Sequence, residues 1–277
     1  MTIARPAGVT FRPLGRDHAG PVADRTRVVV EVARVASEYR RLRFESWPEL
    51  ASCRPGQFVM LRPLTARLIR RPFTVFDADA DRGRAEVVFR VTGEGTARLA
   101  GLRPGDRLSV LGPLGNGFHL EPGRRRAVLV GRGVGMASLH RLARHCLALG
   151  LPTQVLISAR RPDLWLAADE LREDGAEVLG VDDLSGTSRL GAVERFLEPA
   201  FARPGSQCFA CGSSRLIRLV ARLGARWQVP VQVALEAPMA CGIGTCHACP
   251  LRPGLETEGH LVCVDGPVFA TGGERVA

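Results

Sequence analysis

Apolar and polar positions alternate in short runs through the first half of the chain, then give way to longer helical periods. After a loose start to about Ala23, Arg27–Val35 is valine-rich, Tyr39–Phe44 alternates, and Gln57–Leu61 follows the turn Arg54-Pro55-Gly56. Phe73–Phe76, Ala85–Thr92 and Arg107–Leu111 continue the series, the last entered through Pro104-Gly105-Asp106. Six short runs bounded by turn residues predict a small six-stranded antiparallel barrel, with one short helix over Thr96–Leu102. From Arg126 the rhythm changes. Strands are expected at Ala127–Gly131, Gln154–Ser158, Glu177–Val181 and Gln207–Ala210. Helices are expected between and after them, at Met136–Leu149, Asp163–Glu173, Gly191–Leu197 and Ser213–Leu223. That alternation predicts a parallel sheet with helices on its faces. The chain therefore divides into a barrel (24–121), an α/β domain (122–226) and a small cysteine-bearing module (227–277), a multi-domain β plus α/β architecture.

Composition narrows the setting. A length of 277 residues suits two domains and a small module, and 45% hydrophobic residues suffice for real cores. No run approaches the ~18 apolar residues of a membrane span, and Met1-Thr-Ile-Ala-Arg-Pro6 has no apolar signal region. No membrane partner and a cytoplasmic location are expected. The net charge of +10 is carried by arginine alone, since the chain has no lysine. The arginines are dispersed and aromatics make up 5%, so neither the basic stripe nor the stacking platform of a nucleic-acid reader is present. Phosphorylated cofactors and an acidic protein partner are the expected counter-charges.

The densest chemistry is Cys241-Gly-Ile-Gly-Thr-Cys246-His-Ala-Cys249, followed by Cys263. The spacing C-x4-C-x2-C with a fourth cysteine beyond is the plant-type ligand pattern of a [2Fe–2S] cluster. Gly242 and Gly244 supply turns that residues with a Cβ take at a cost. A structural zinc site, which prefers C-x2-C pairs, and a disulfide are the alternatives. Cys53, Cys146, Cys208 and Cys211 are scattered and imply no oxidising compartment. Cys208 and Cys211 form a C-x2-C pair, but on a strand their side chains face opposite ways.

Elsewhere the residue types leave alternatives open. Arg70-Arg71-Pro72-Phe73-Thr74 reads as a surface arginine before an ordinary strand, or as a strand offering Arg71 to a diphosphate and Phe73 and Thr74 to a ring. Gly93-Glu94-Gly95-Thr96 is a tight turn or a phosphate-binding helix start. Gly131-Arg132-Gly133-Val134-Gly135 and Cys211-Gly212-Ser213 lie at strand carboxyl ends, where α/β sheets bind ligands. The first of them falls short of the full G-x-G-x-x-G fingerprint.

In this order the motifs resemble the ferredoxin–NADP reductase superfamily, and within it the electron-transfer subunits of NAD-linked, heteromeric dihydroorotate dehydrogenases. The resemblance covers residues 24–270. It implies that Arg71 holds an FAD diphosphate, that Pro72 and Phe73 continue the flavin-binding strand, and that Thr74 lies by the isoalloxazine. It also implies that Gly93, Gly95 and Thr96 form a second FAD phosphate loop. Gly112–Phe118 would link the barrel to the α/β domain. Gly131, Gly133 and Gly135 would form the nicotinamide-nucleotide loop, with Asp182-Asp183 through Gly191 as the segment after the third strand and Cys211-Gly212 against the nicotinamide. Glu236 and Cys241, Cys246, Cys249 and Cys263 match the cluster module. Arg132 stands where glycine is usual, Ser138 where proline is common, and His247 and Pro250 are unusual in a cluster loop. Arg132 would either crowd a nicotinamide cofactor or contact its phosphates.

The implied function is an electron conduit in pyrimidine biosynthesis, with no catalytic acid or base of its own. Electrons would run from an FMN-containing dihydroorotate dehydrogenase subunit, partnered in a heterotetramer, through [2Fe–2S] and FAD to NAD. The alternatives are a reductase subunit of the same architecture in another redox complex, such as a sulfide dehydrogenase, a hydrogenase or an oxygenase, and a redox sensor without nicotinamide activity.

Overall fold

The computed structural model describes residues 9–15, 22–65, 69–251 and 259–272. In chain order the strands are β1 (Thr10–Pro13), β2 (Ala23–Arg34), β3 (Tyr39–Glu45), β4 (Phe58–Pro63), β5 (Arg71–Thr74), β6 (Asp77–Asp79), β7 (Arg84–Arg90) and β8 (Arg107–Leu114). Short helices α1 (Pro48–Ala51) and α2 (Glu94–Ala100) lie among them. The second half comprises β9 (Arg126–Arg132), α3 (Met136–Ala148), β10 (Thr153–Ala159), α4 (Ala168–Glu173), β11 (Glu177–Asp182), α5 (Leu190–Phe201), β12 (Ser206–Cys211), α6 (Ser214–Trp227), β13 (Val231–Ala234) and β14 (Val268–Gly272).

The first half folds into one curled antiparallel sheet, ordered β5-β4-β8-β2-β3-β7-β6. All six expected strands are there, and the three-residue β6 adds a seventh along β7. Alternation on β4 splits its side chains. Val59 and Leu61 enter the interior of this sheet with Leu42, Phe44, Val87 and Phe89, while Phe58 and Met60 face outward into the core beneath the cysteine module. The turn between β7 and β8 holds α2, as the pattern predicts.

The second sheet runs β1-β14-β13-β12-β9-β10-β11. Strands β13, β12, β9, β10 and β11 are parallel, and antiparallel β14 and β1 extend the edge. Two expectations need correction here. The loose start contains β1, whose Phe11 is 1% exposed; one aromatic among polar neighbours and a proline is too short a pattern to read as a strand. The helix expected over Asp163–Glu173 is broken into a 3-10 turn at Pro162–Leu164 and the short α4. Between them Trp165 tucks over β11, donating its indole N–H to the Val181 carbonyl at 3.2 Å, and Ala167 takes a left-handed φ of 59°. Gly180 makes room for that ring, since a Cβ there would lie 2.5 Å from it.

Each face of the sheet has its own core. Cys208 and Ala210 enter the core shared with α5, α6 and the cysteine module, whereas Phe209 and Cys211 enter the opposite one with α3. The two cysteines therefore face apart, as strand alternation requires. Helix α6 shows why that face closes: Leu216, Ile217, Leu219, Val220 and Leu223 are buried, an i, i+3, i+4 stripe. Outward, Arg222 and Arg226 pair with Glu194 and Glu198 of α5, each at 2.8 Å.

Candidate functional site

Strand β5 lines the gap between the curled sheet and the α/β layer, a cavity of about 300 Å³. Pro72, Phe73 and Thr74 form one wall; Thr96 of α2, Ser138 of α3, Cys211 at the end of β12 and Glu236 just past β13 are among the residues that line it elsewhere. Five separate stretches of sequence thus meet in one place. Phe73 leans on Phe89, ring centres 5.3 Å apart and tilted 49°, giving a fixed aromatic surface. The Thr74 and Ser138 hydroxyls are 2.9 Å apart and tie the curled sheet to the first turn of α3. Ser138 also hydrogen-bonds the Cys211 thiol, whose pKa burial pushes well above the usual thiol range. Glu236 stands open to the cavity, and the protein packed around it raises its carboxyl pKa.

Arg71 lies outside that wall, its guanidinium across the first turn of α2. A Cβ on Gly95 would sit 2.6 Å from the Arg71 Nε, so only glycine lets the cation reach the turn. The same guanidinium donates to the Ile69 carbonyl. Gly93 caps α2 in extended conformation. The Thr96 hydroxyl oxygen accepts from the amides of Thr92 and Gly93, at 2.9 and 3.2 Å, so this side chain builds the turn itself. A cation on a turn rimming an aromatic-walled cavity suits a phosphorylated aromatic cofactor. This is the fit an FAD requires.

The glycine turn after β9 is packed against its neighbours. At Gly131 a Cβ would run into Met136, with Cγ at 2.8 Å; at Gly135 it would lie 2.7 Å from Gly212 Cα. Gly133 has φ +56° and faces the Tyr39 hydroxyl. Gly212, at φ +97°, leaves no room for a Cβ against the Arg132 carbonyl. Arg132 does not fill this turn. Its side chain runs along the sheet's carboxyl edge, Nη1 donating to Ser158 Oγ at 2.7 Å and the fork spanning Asp183 at 3.3 and 2.6 Å. That fork, helped by the Ser188 hydroxyl, holds the Asp183 carboxyl below the ordinary range.

The four cysteines converge beside the cavity. Val262 N–H donates to the Cys249 carbonyl at 2.9 Å, which brings Cys263 to the loop. The amides of Ile243 and Cys246 both point at Cys241 Sγ, each at 3.4 Å. Burial works to raise the pKa of Cys241, but these amides outweigh it and bring the thiol to about 7. Gly242 and Gly244 have φ of +76° and +87° and press on Met60 and Val264, where a Cβ would come within 2.7 and 2.8 Å. Among the described residues, no three His, Cys, Asp or Glu side chains are drawn tightly enough to hold one metal ion. Cys246 acts on the Cys241 thiol and Cys263 on the Cys249 thiol, and Cys263 feels the charge of Cys241. Two thiolates on each of two irons is the division a [2Fe–2S] cluster needs, whereas zinc gathers four ligands on one ion.

Sequence reasoning missed the Thr74–Ser138 tie and the destination of Arg132. Ser138 and Arg132 both depart from the family pattern, but their partners Thr74 and Asp183 lie far along the chain.

Residues 26–119 match the family described as oxidoreductase FAD-binding domain, and residues 236–273 match the iron-sulfur cluster binding domain of dihydroorotate dehydrogenase B. The chain is 35% identical over 258 residues to the dihydroorotate dehydrogenase B (NAD(+)) electron transfer subunit of Bacillus caldolyticus, covering 91% of this chain and 93% of that one. It is 32% identical over 225 residues to the protein of the same description from Streptococcus pneumoniae R6, covering 79% and 86%. Among solved structures, an NADH-dependent reduced ferredoxin-NADP oxidoreductase superposes with a TM-score of 0.72 at 28% identity, covering 88% of this chain and 87% of that one. Phthalate dioxygenase reductase, at 17% identity and a TM-score of 0.63 over 82% of this chain and 85% of its own, shares the fold. With 91% of its length matched at 35% identity and both domain descriptions recognised, the chain is an oxidoreductase subunit with FAD-binding and iron–sulfur domains and belongs to the family of dihydroorotate dehydrogenase B electron transfer subunits.

Proposed function

We propose that this chain conducts electrons between a flavin-containing catalytic partner, a dihydroorotate dehydrogenase that holds FMN, and NAD. The reading places it in pyrimidine biosynthesis, in a cytoplasmic heterotetramer. The names of its relatives support the partner and the dinucleotide. The observation that carries the reading is the adjacency of two sites: four cysteines paired two and two, and an aromatic-walled cavity one loop away.

In this reading Cys241, Cys246, Cys249 and Cys263 hold the cluster, with backbone amides offsetting the thiolate charge. Arg71 holds the FAD diphosphate over the Gly93–Thr96 turn, and Pro72, Phe73 and Thr74 face the ring. Gly131, Gly133, Gly135, Cys211 and Gly212 shape the nicotinamide approach, while Glu236 closes the cavity toward the cluster loop. When bound, FAD exchanges electron pairs with nicotinamide and single electrons with the cluster. The chain's own work is to bind, to orient and to keep the two sites at fixed separation.

The purified protein is expected to carry two irons and one FAD per chain, read by metal and flavin analysis. Cys246→Ser abolishes transfer to the partner while leaving NADH oxidation by artificial dyes near its original rate; equal loss of both activities would overturn the order of carriers. The likeness to the NADH-dependent ferredoxin-NADP oxidoreductase supports a second reading, the same conduit in a different redox complex. Affinity capture from the native host, followed by assay with dihydroorotate, separates them: a captured subunit that oxidises dihydroorotate supports the first, and one inert toward it the second.

A further inference from the structure

The segment Gly112–Phe118, which leaves the curled sheet for the α/β domain, also grips the cysteine module. Gly115 has φ +70°, and a Cβ there would lie 2.7 Å from the Gly266 carbonyl oxygen and 2.8 Å from the Phe58 ring. The backbone is thus wedged between β4 and the module. One residue on, the Asn116 N–H donates to the Gly266 carbonyl at 2.6 Å. The Asn116 side-chain Nδ2 donates to the Val264 carbonyl at 3.1 Å, on the residue after Cys263. Phe58 and Pro267, which both press on Gly115, line the cavity.

Gln57 makes the connection from the flavin side. Its Nε2 donates to the Gly115 carbonyl at 2.7 Å, and its Oε1 accepts from the Arg54 N–H at 2.8 Å. Its own carbonyl accepts from the Val75 N–H at 3.0 Å, and Val75 directly follows β5. Three hydrogen bonds and short spans of backbone therefore run from the end of β5, through Gln57 and Gly115-Asn116, to the residue beside Cys263. Both side chains are buried, Gln57 1% and Asn116 2% exposed, a setting in which such bonds hold position firmly. Stability alone does not account for Asn116. Its Oδ1 is buried without a hydrogen-bond partner, and an unmade bond on a buried amide is a cost to the fold. An apolar side chain of similar shape avoids that cost, whereas the amide fixes one arrangement of its neighbours.

We propose that Gln57 and Asn116 are positioning residues for the exchange of single electrons between FAD and cluster, holding the flavin strand and the Cys263 loop at one separation. The proposal deepens the conduit reading and rests on it.

The test uses the full chain loaded with FAD and cluster. A flash-generated deazaflavin radical gives the flavin one electron. That electron then leaves the flavin, which is reoxidised, and reduces the cluster, whose visible absorbance bleaches. Gln57→Met and Asn116→Leu, near in shape to the residues they replace, slow this transfer about tenfold or more while keeping their FAD and iron. The double variant is no slower than the slower single one, because a brace cut once is already cut. The electron paramagnetic resonance spectrum of the reduced cluster shifts in Asn116→Leu, whose lost bond lies beside Cys263; a general loss of stability leaves that spectrum where it was. Wild-type rates in both single variants, losses that multiply in the double variant, or a wild-type spectrum in Asn116→Leu overturns the proposal. If leucine costs the chain its iron, the rate in Gln57→Met decides alone. A wild-type chain in which no electron passes from flavin to cluster overturns the conduit reading itself.

Discussion

Gly135 has an ordinary helical φ of −58° and still admits no side chain. A Cβ there would lie 2.7 Å from Gly212 Cα and 2.8 Å from the Cys211 carbonyl carbon, all backbone with nowhere to go. Gly135→Ala is expected to cost about 1–3 kcal/mol by overpacking, seen as a lower denaturation midpoint. A readily accessible control is Gly191→Ala, in helix α5, which would meet nothing within 4 Å and should hold the midpoint or raise it slightly. The glycine motif was thus visible in the sequence while its reason was not. The resemblance implies a nicotinamide-nucleotide loop, but two of its glycines are explained by a second loop arriving from β12 and by Met136. Arg132 shows the same limit: its oddity is legible from one residue, its partner Asp183 only from the sheet.

At the scale of elements, the junction between β3 and the α3–α4 pair rests on a triad of Arg41, Glu170 and His140. Arg41 of β3 pairs with Glu170 of α4, and the His140 Nε2 lies 3.5 Å from the same carboxylate. His140 in turn stacks on Phe76, ring centres 3.9 Å apart and 6° from parallel. The nearby His140 ring nitrogen, then the hydrogen bond from Arg41, overcome burial and bring the Glu170 pKa down to about 2. A depressed carboxyl stabilises the fold above its unfolded pKa of ~4.3 and loses that contribution as pH falls toward about 2. With the side chain 46% exposed, solvent screening leaves on the order of 1 kcal/mol. In denaturant titrations the stability gap between wild type and Glu170→Gln is expected to be full at pH 7 and to shrink below pH ~4.5. Other acid-labile groups affect both chains equally, so a gap that stays constant would refute the triad's role. Most helices and strands here were legible from periodicity. The exceptions include the strands β1, β6, β13 and β14 and the break before α4; β1 and that break hinge on Phe11 and Trp165, single aromatics whose burial sites lie on distant strands.

The whole molecule is two sheets sharing a seam, and the cysteine module is sewn into the second of them. Strand β13 leads into Glu236 and Cys241, and β14 follows soon after Cys263; the two strands pair directly. Outside them, β1 covers β14 and buries Phe11 in the core that also holds Cys249 and Cys263. Phe11→Ala is expected to cost about 3–5 kcal/mol and to hasten loss of bound iron, followed by the decay of visible absorbance over time; a variant that keeps its iron as long as wild type would show the strand to be ornamental. Because both ends of the cysteine loop leave from neighbouring strands of one rigid sheet, the loop has no arm on which to swing. A donor or acceptor outside the chain would therefore have to be seated against the loop itself, as a docked subunit is.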